Sequence, residues 1–194
     1  MKQAKLFGYD YKPEPKVLTK LDLANAETLA LKIQDAIAPL CEKIQIVGSI
    51  RRKKAIVGDI DFVVITTDTN WNKIIQTLNK LQAICSGPIV IKINYPYQDK
   101  MFQADFYRAY DNNSGIQQLI RTGSAEHNTW LASYALSKGF RLKYSEGLLK
   151  DKVVVAGKTE ESVFSALNLP YPEPQFREVI DGKPAWKTLG SMQK

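Results

Sequence analysis

The chain has 194 residues, 44% of them hydrophobic and 24% charged, enough for one larger domain or two small lobes with a real core. No apolar run approaches the ~20 residues that span a bilayer, and the N-terminus lacks the apolar stretch of a signal peptide. A cytoplasmic protein without a membrane partner is therefore expected, and a nucleoid or viral setting is compatible with it. Lysine and arginine exceed aspartate and glutamate by 27 − 20 = 7, a surplus that favours a polyanionic partner. Cys41 and Cys85 stand far apart with no Cys or His nearby, and His127 is the single histidine. A zinc site or a histidine-pair mechanism is thereby disfavoured, and two reduced thiols are expected.

Residues 1–20, rich in Lys and Pro, read as an irregular arm. From Asn25 the pattern turns helical, with Leu29, Ile33, Ile37 and Leu40 on one apolar face and Pro39 near its end. Ile44–Val47 reads as a short strand running into Gly48-Ser49. The next segment, Gly-Ser-Ile-Arg-Arg-Lys-Lys-Ala-Ile-Val-Gly-Asp-Ile-Asp over residues 48–61, is the most informative in the chain. In a strand over 59–66 the side chains alternate, so Asp59 and Asp61 share one face while Ile60, Phe62 and Val64 share the other. Two carboxylates on one face repel unless a cation lies between them, and oxygen-only ligands suit a hard ion such as magnesium. The small-residue turn and the arginines before them could hold an anion beside that cation.

A helix is expected over 71–81, buried through Ile74, Ile75, Leu78 and Leu81. Ser86-Gly87-Pro88 then breaks the chain, and 89–93 reads as a strand. The strand over 101–107 sets Phe102, Ala104 and Phe106 on one face and Gln103, Asp105 and Tyr107 on the other. Asp105 can therefore join Asp59 and Asp61 on one side of a shared sheet. Residues 111–115 form a turn cluster and a candidate lobe boundary. Ser124 is expected to cap a helix reaching Lys138, stopped by Gly139. A small antiparallel sheet over 141–144, 148–149 and 152–156 follows, then a short helix capped by Thr159. Residues 170–194 end irregularly, and the tail from 179, with Trp186, has no assignment.

Gly48-Ser49, Arg51-Arg52, Gly58-Asp59-Ile60-Asp61 and the later strand with Asp105 resemble the palm of family X DNA polymerases, within the nucleotidyltransferase superfamily typified by DNA polymerase beta. The resemblance continues through Thr122-Gly123-Ser124-Ala125-Glu126-His127-Asn128, Gly147-Leu148-Leu149, 159–164 and 167–171, so that it covers roughly residues 25–178. It implies an α+β fold: a nucleotidyltransferase palm with a mixed sheet and flanking helices over 1–110, and a small C-terminal nucleotide-selecting α/β lobe with the tail over 111–194. It implies an enzyme adding nucleotides to a DNA 3′-hydroxyl, filling short gaps in DNA repair, as a monomer acting on primer/template or gapped DNA and nucleoside triphosphates.

Carried over by position, Asp59, Asp61 and Asp105 would be catalytic and bind two Mg2+ ions, for which Mn2+ can substitute. One ion would lower the pKa of the primer hydroxyl, Asp105 would help take its proton, and the other ion would hold the triphosphate. Gly48, Ser49, Arg52 and the backbone at Gly58 would contact the phosphates; Gly123 and Asn128 would contact the nucleotide sugar and base. Lys53 and Lys54 are candidate DNA-backbone contacts.

Departures from the family pattern carry expectations of their own. The 47 residues before Gly48 are too few for the N-terminal lyase domain of larger members, so lyase activity is not expected. Ile120 and Arg121 stand where the family usually has an aromatic pair that excludes ribonucleotides. Ala132 stands where its best-known members have an arginine touching the template.

Plainer explanations compete at each position. The aspartates could line a solvated strand edge, although Asp is poor in strands. Residues 51–54 could be a solvated charge run or a localisation signal. Gly123 and Asn128 could serve only helix entry, a lone histidine such as His127 is more often packed or exposed than catalytic, and Trp130 and Tyr134 suit a core or lobe interface. Two further functions stay open: template-independent terminal transfer, and a catalytically silent DNA end-binding module. A small-molecule nucleotidyltransferase explains the 122–128 block poorly.

Overall fold

The computed structural model describes residues 20–98 and 100–189. The expected arm, but for Lys20, and the last residues of the tail lie outside them. Strand β1 (Leu21–Asp22) leads into helix α1 (Leu23–Ile37), and the Asp22 carboxylate caps the helix by accepting from the Asn25 amide at 3.0 Å. The helix buries Ala26, Leu29, Ala30, Ile33 and Ile37. Pro39 falls in a 3-10 turn, Ala38–Leu40, which ends the helix at Ile37.

Strand β2 (Lys43–Ile46) then enters the four-residue helix α2 (Gly48–Arg51). Strand β3 (Ile56–Val57) pairs back on β1, and β4 (Ile60–Ile65) follows. Helix α3 (Asp68–Leu78) is shorter than the expected 71–81 at its C-terminal end, because the chain turns there into a strand, β5 (Gln82–Ser86), which periodicity did not reveal. Strands β6 (Val90–Tyr97) and β7 (Lys100–Ala109) complete a five-stranded mixed sheet of order β2-β4-β7-β6-β5. Only the central pair, β4 and β7, is parallel, and it aligns Asp61 with Asp105.

One sheet face is the main core. Ile60, Phe62, Val64, Ile91, Ile93, Phe102, Ala104 and Phe106 cluster there with the apolar faces of α1 and α3. The in-register rings Phe62 and Phe106 stack with centroids 4.9 Å apart. That dry face fixes the strand phase, since a slip of one residue would turn the aspartates into the core.

On the opposite face sits α4 (Ser114–Thr122), which packs against β4 and β7. The expected turn cluster at 111–115 lasts only as far as Asn113 before this helix begins. Helix α5 (Ala125–Ser137) is capped by Ser124, as the sequence predicts, through the His127 amide at 3.1 Å. An antiparallel meander follows: β8 (Arg141–Lys143), β9 (Gly147–Lys150) and β10 (Val153–Ala156). Helix α6 (Glu160–Ala166) is capped by Thr159. Ile116, Leu119, Leu131, Leu148, Val163 and Phe164 form a second core among these elements. The tail adds a two-strand hairpin, β11 (Val179–Ile180) with β12 (Lys183–Pro184), and helix α7 (Ala185–Leu189). Trp186 packs edge-on against Trp130 at 5.4 Å and His127 at 5.3 Å.

The two cores are joined by buried charge. Glu160 accepts two hydrogen bonds from Arg51, at 2.8 and 2.7 Å, and two from Arg177, at 2.5 and 3.3 Å, while Arg51 also donates to Thr122 Oγ1. Tyr171 adds a fifth donor at 2.9 Å. Burial by itself would raise the Glu160 carboxyl, but the hydrogen bonds from Arg51 and Arg177 outweigh it and hold the group down at about 2.

The Glu160→Gln variant, which leaves two arginines without their shared counter-charge, is expected to lose about 3–5 kcal/mol in urea unfolding at pH 7. Because the folded carboxyl titrates below its unfolded value, its contribution is complete above about pH 4.5. It is lost as pH falls from there to about 2, a span on the order of 3 kcal/mol that Glu160→Gln should lack.

Candidate active site

Asp61 and Asp105 meet across the β4–β7 pair, and Asp59 lies just before β4, so a ligand oxygen of each falls within 4.8 Å of the others. The structure thus gathers the three carboxylates that alternation placed on one face. Their charges are unevenly compensated. Asp105, buried at 1% exposure, is held by Lys92 from the neighbouring strand β6, by Gln103 Nε2 at 2.8 Å and by the Tyr107 hydroxyl at 3.0 Å. Asp61 is pushed up to about 8 by burial first, then by the charges of Asp59 and Asp105. A site that forces a carboxyl so far up, with only oxygen donors around it, has the chemistry to accept a divalent cation. The triad therefore fits a divalent cation.

Gly48 makes this packing feasible. It adopts φ +63°, and a Cβ there would stand 2.0 Å from Asp61 Oδ2. Next to it, Ser49 Oγ is buried and has no hydrogen-bond partner among the described residues. Gly58 is exposed with open space where a side chain would project, so its backbone is accessible.

The basic run is distributed differently from a simple phosphate cradle. Arg52 donates to the Thr122 carbonyl at 2.6 Å and to Glu178 at 2.9 Å, and Arg51 reaches Glu160. Both arginines therefore tie the sheet lobe to the second lobe. Lys53 pairs with Glu27 at 2.7 Å and Lys54 with Glu178 at 3.3 Å, both remaining exposed.

In the second lobe, Gly123 and Asn128 come together. A Cβ on Gly123 would lie 2.4 Å from Asn128 Oδ1, and Asn128 Nδ2 donates to the Ile120 carbonyl at 2.7 Å. Asn128 thus closes the C-terminal end of α4 onto α5. His127 is fully buried beside Phe164 and Trp186, and burial holds its imidazole down at about 4. This is a packed histidine. Trp130 and Tyr134 stack on each other at 5.1 Å as part of the second core's margin.

Lys92 and the Glu160 network were not singled out from the sequence. Lys92 had a legible signal: in the strand over 89–93 it lies opposite in phase to Ile91 and Ile93. Glu160 had none, because its partners are 109 and 17 residues away.

A nucleotidyltransferase-type sheet with its acidic triad, joined to a small α/β lobe, is the class that fold and site define. Residues 118–178 match the family model described as DNA polymerase beta thumb. The solved structure of Leishmania infantum polymerase beta, a ternary P/T complex, superposes with a TM-score of 0.67 over 83% of this chain and 77% of that one, at 19% identity. DNA polymerase IV of Saccharomyces cerevisiae is 33% identical over 75 residues, which are 39% of this chain and 13% of that protein's length. The chain thus resembles polymerase beta-like proteins in its fold and, over residues 118–178, in the thumb family model, and it spans a small part of the length of the curated relative. Among the described residues, no helix is long and apolar enough to cross a membrane.

Replacing Gly48 by alanine should destabilise the fold by about 1–3 kcal/mol, because the positive φ and the close Asp61 carboxylate cannot both persist. Thermal unfolding of Gly48→Ala against Gly58→Ala, where there is room, checks this.

Proposed function

We propose that the protein is a DNA polymerase that adds nucleotides to a DNA 3′-hydroxyl, filling short gaps in repair. The observation that carries this is the cluster of Asp59, Asp61 and Asp105 within 4.8 Å, set in a polymerase beta-like fold. Asp59, Asp61 and Asp105 would hold two magnesium ions, which when bound supply positive charge to the primer hydroxyl and the triphosphate. Lys92, Gln103 and Tyr107 keep the Asp105 carboxylate in one orientation, which supports a role for it in taking up the hydroxyl proton. Ser49 Oγ, buried and without a partner, supports a phosphate contact there, and the open backbone at Gly58 supports a second. Arg52 can reach a phosphate after its Glu178 partner is released, so triphosphate binding and the lobe contact compete for one guanidinium. Gly123 and Asn128 would form the sugar and base edge of the pocket, and Lys53 and Lys54 the outer contacts with the DNA backbone. In this reading residues 1–110 are the palm and 111–194 the nucleotide-selecting lobe.

Template-independent transfer is a second reading, supported by the small side chain of Ala132 on α5. Asp59→Ala and Asp105→Ala should each reduce Mg2+-dependent primer extension by at least about a thousandfold, since each removes charge stabilisation that no neighbour replaces. Undiminished extension by either variant would overturn the assignment. Gapped DNA should be extended faster than a single-stranded primer, and the reverse order would select terminal transfer.

A further inference from the structure

Between the two lobes lies a cleft of about 510 Å3 that adjoins the triad through Lys92 and Tyr107, which bond Asp105, but is lined by none of the three aspartates. That volume falls in the ~300–1,000 Å3 range of small-ligand pockets. The first lobe contributes β6, β7 and the residues flanking them; the second contributes α4 and the turn after β8. Lys92, Arg108 and Arg121 line its walls, Lys92 paired with Asp105 and Arg108 with Asp68, and among the described residues no carboxylate is part of the lining itself. Tyr107, Tyr110 and Tyr144 supply three aromatic faces.

The cations are arranged on the aromatics. The Arg121 guanidinium lies 3.7 Å from the centre of the Tyr107 ring, and that of Arg108 lies 5.1 Å from the centre of Tyr110. Stacking satisfies the flat faces of these guanidiniums. Arg108 Nη2 donates to the Thr66 carbonyl at 3.3 Å and to the Asp68 carboxylate at 2.5 Å, so its edge is met in part. The Nε atoms of Arg108 and Arg121 are both buried without a hydrogen-bond partner among the described residues. A buried donor left in that state costs ~1–3 kcal/mol, and an anionic oxygen relieves it. Tyr110 and Tyr144 are 45% and 57% exposed, so each offers ring area to something that enters.

We infer that this cleft is a second nucleotide-binding site, which takes a phosphate on its arginine edges and an aromatic base on its tyrosines. Phosphate by itself would leave the tyrosines unused, and a base by itself would leave the two Nε donors unmet. The same chemistry is presented by a free nucleotide and by the phosphorylated end of a strand. Because both lobes wall the cleft, a ligand there bridges them and favours one relative placement.

The inference does not rest on the transfer reaction, and its test runs without divalent metal. Isothermal titration of the full chain in EDTA uses adenosine 5′-monophosphate, inorganic phosphate, adenosine and a 5′-phosphorylated dinucleotide as probes. Saturable binding of the monophosphate is expected, with phosphate and adenosine each at least about tenfold weaker, since base stacking and charge each contribute ~1–3 kcal/mol. Ile89→Glu sets a carboxylate at the exposed rim, and Tyr144→Ala removes an exposed ring. Each should weaken binding at least about tenfold while leaving the melting temperature unchanged. A dinucleotide that binds more tightly than the monophosphate identifies a strand end as the ligand; equal or weaker binding identifies the free nucleotide. No saturable binding by either, or binding that both substitutions leave intact, overturns the site. A chain that extends primers but binds no nucleotide in EDTA would refute this cleft and spare the polymerase reading.

Discussion

Asp61 and Asp105 face one another across the parallel strands β4 and β7, with Asp59 just outside the strand, so three carboxylates press together at the edge of a dry sheet. Such a cluster is unfavourable in isolation, as the upward displacement of Asp61 attests. It persists because the opposite face is locked: Phe62 stacks on Phe106, and the α1 and α3 side chains fill the space behind them. Hydrophobic burial on one face thus holds electrostatic conflict on the other. Lys92, Gln103 and Tyr107 relieve Asp105, while the remaining negative charge makes the site receptive to cations.

The relation of the two lobes depends on a different arrangement of charge. Arg51 leaves the turn beside the triad and reaches Glu160 at the start of α6, where Arg177 approaches from the other side. Arg52 meets the Thr122 carbonyl and Glu178. The segment that begins at Gly48 therefore serves two ends, forming the floor of the site and gripping the second lobe. One short segment thus joins the neighbourhood of the triad to the placement of the second lobe. The cleft lined by Arg108 and Arg121 lies at the same junction, where either lobe's displacement would change its width.

Much of this was legible because it is periodic. Alternation assigned Ile60, Phe62 and Val64 to one face and Asp59 and Asp61 to the other, and it put Asp105 in phase on a later strand. The Ser124 and Thr159 caps were readable because a side-chain oxygen before a helix has a local partner three residues on. Strand β5 was not readable, since Gln82–Ser86 has no clear alternation and is defined by its pairing with β6. Helix α4 was hidden by the turn-forming residues that precede it. The tail carried no pattern, and its role comes from Trp186 entering a space between His127 and Trp130.

The sequence by itself determined which residues could be acidic ligands, the faces they occupy and the family they resemble, because those properties depend on neighbours a few positions apart. Tertiary structure decided which strands lie side by side, and so which cation steadies Asp105. It also turned Arg51 and Arg52 toward the second lobe, made His127 a packed ring, and created a basic, tyrosine-lined cleft from segments distant in the chain. Those outcomes depend on strand order and lobe contact, which arise from burying two apolar cores at once and leave no local periodicity.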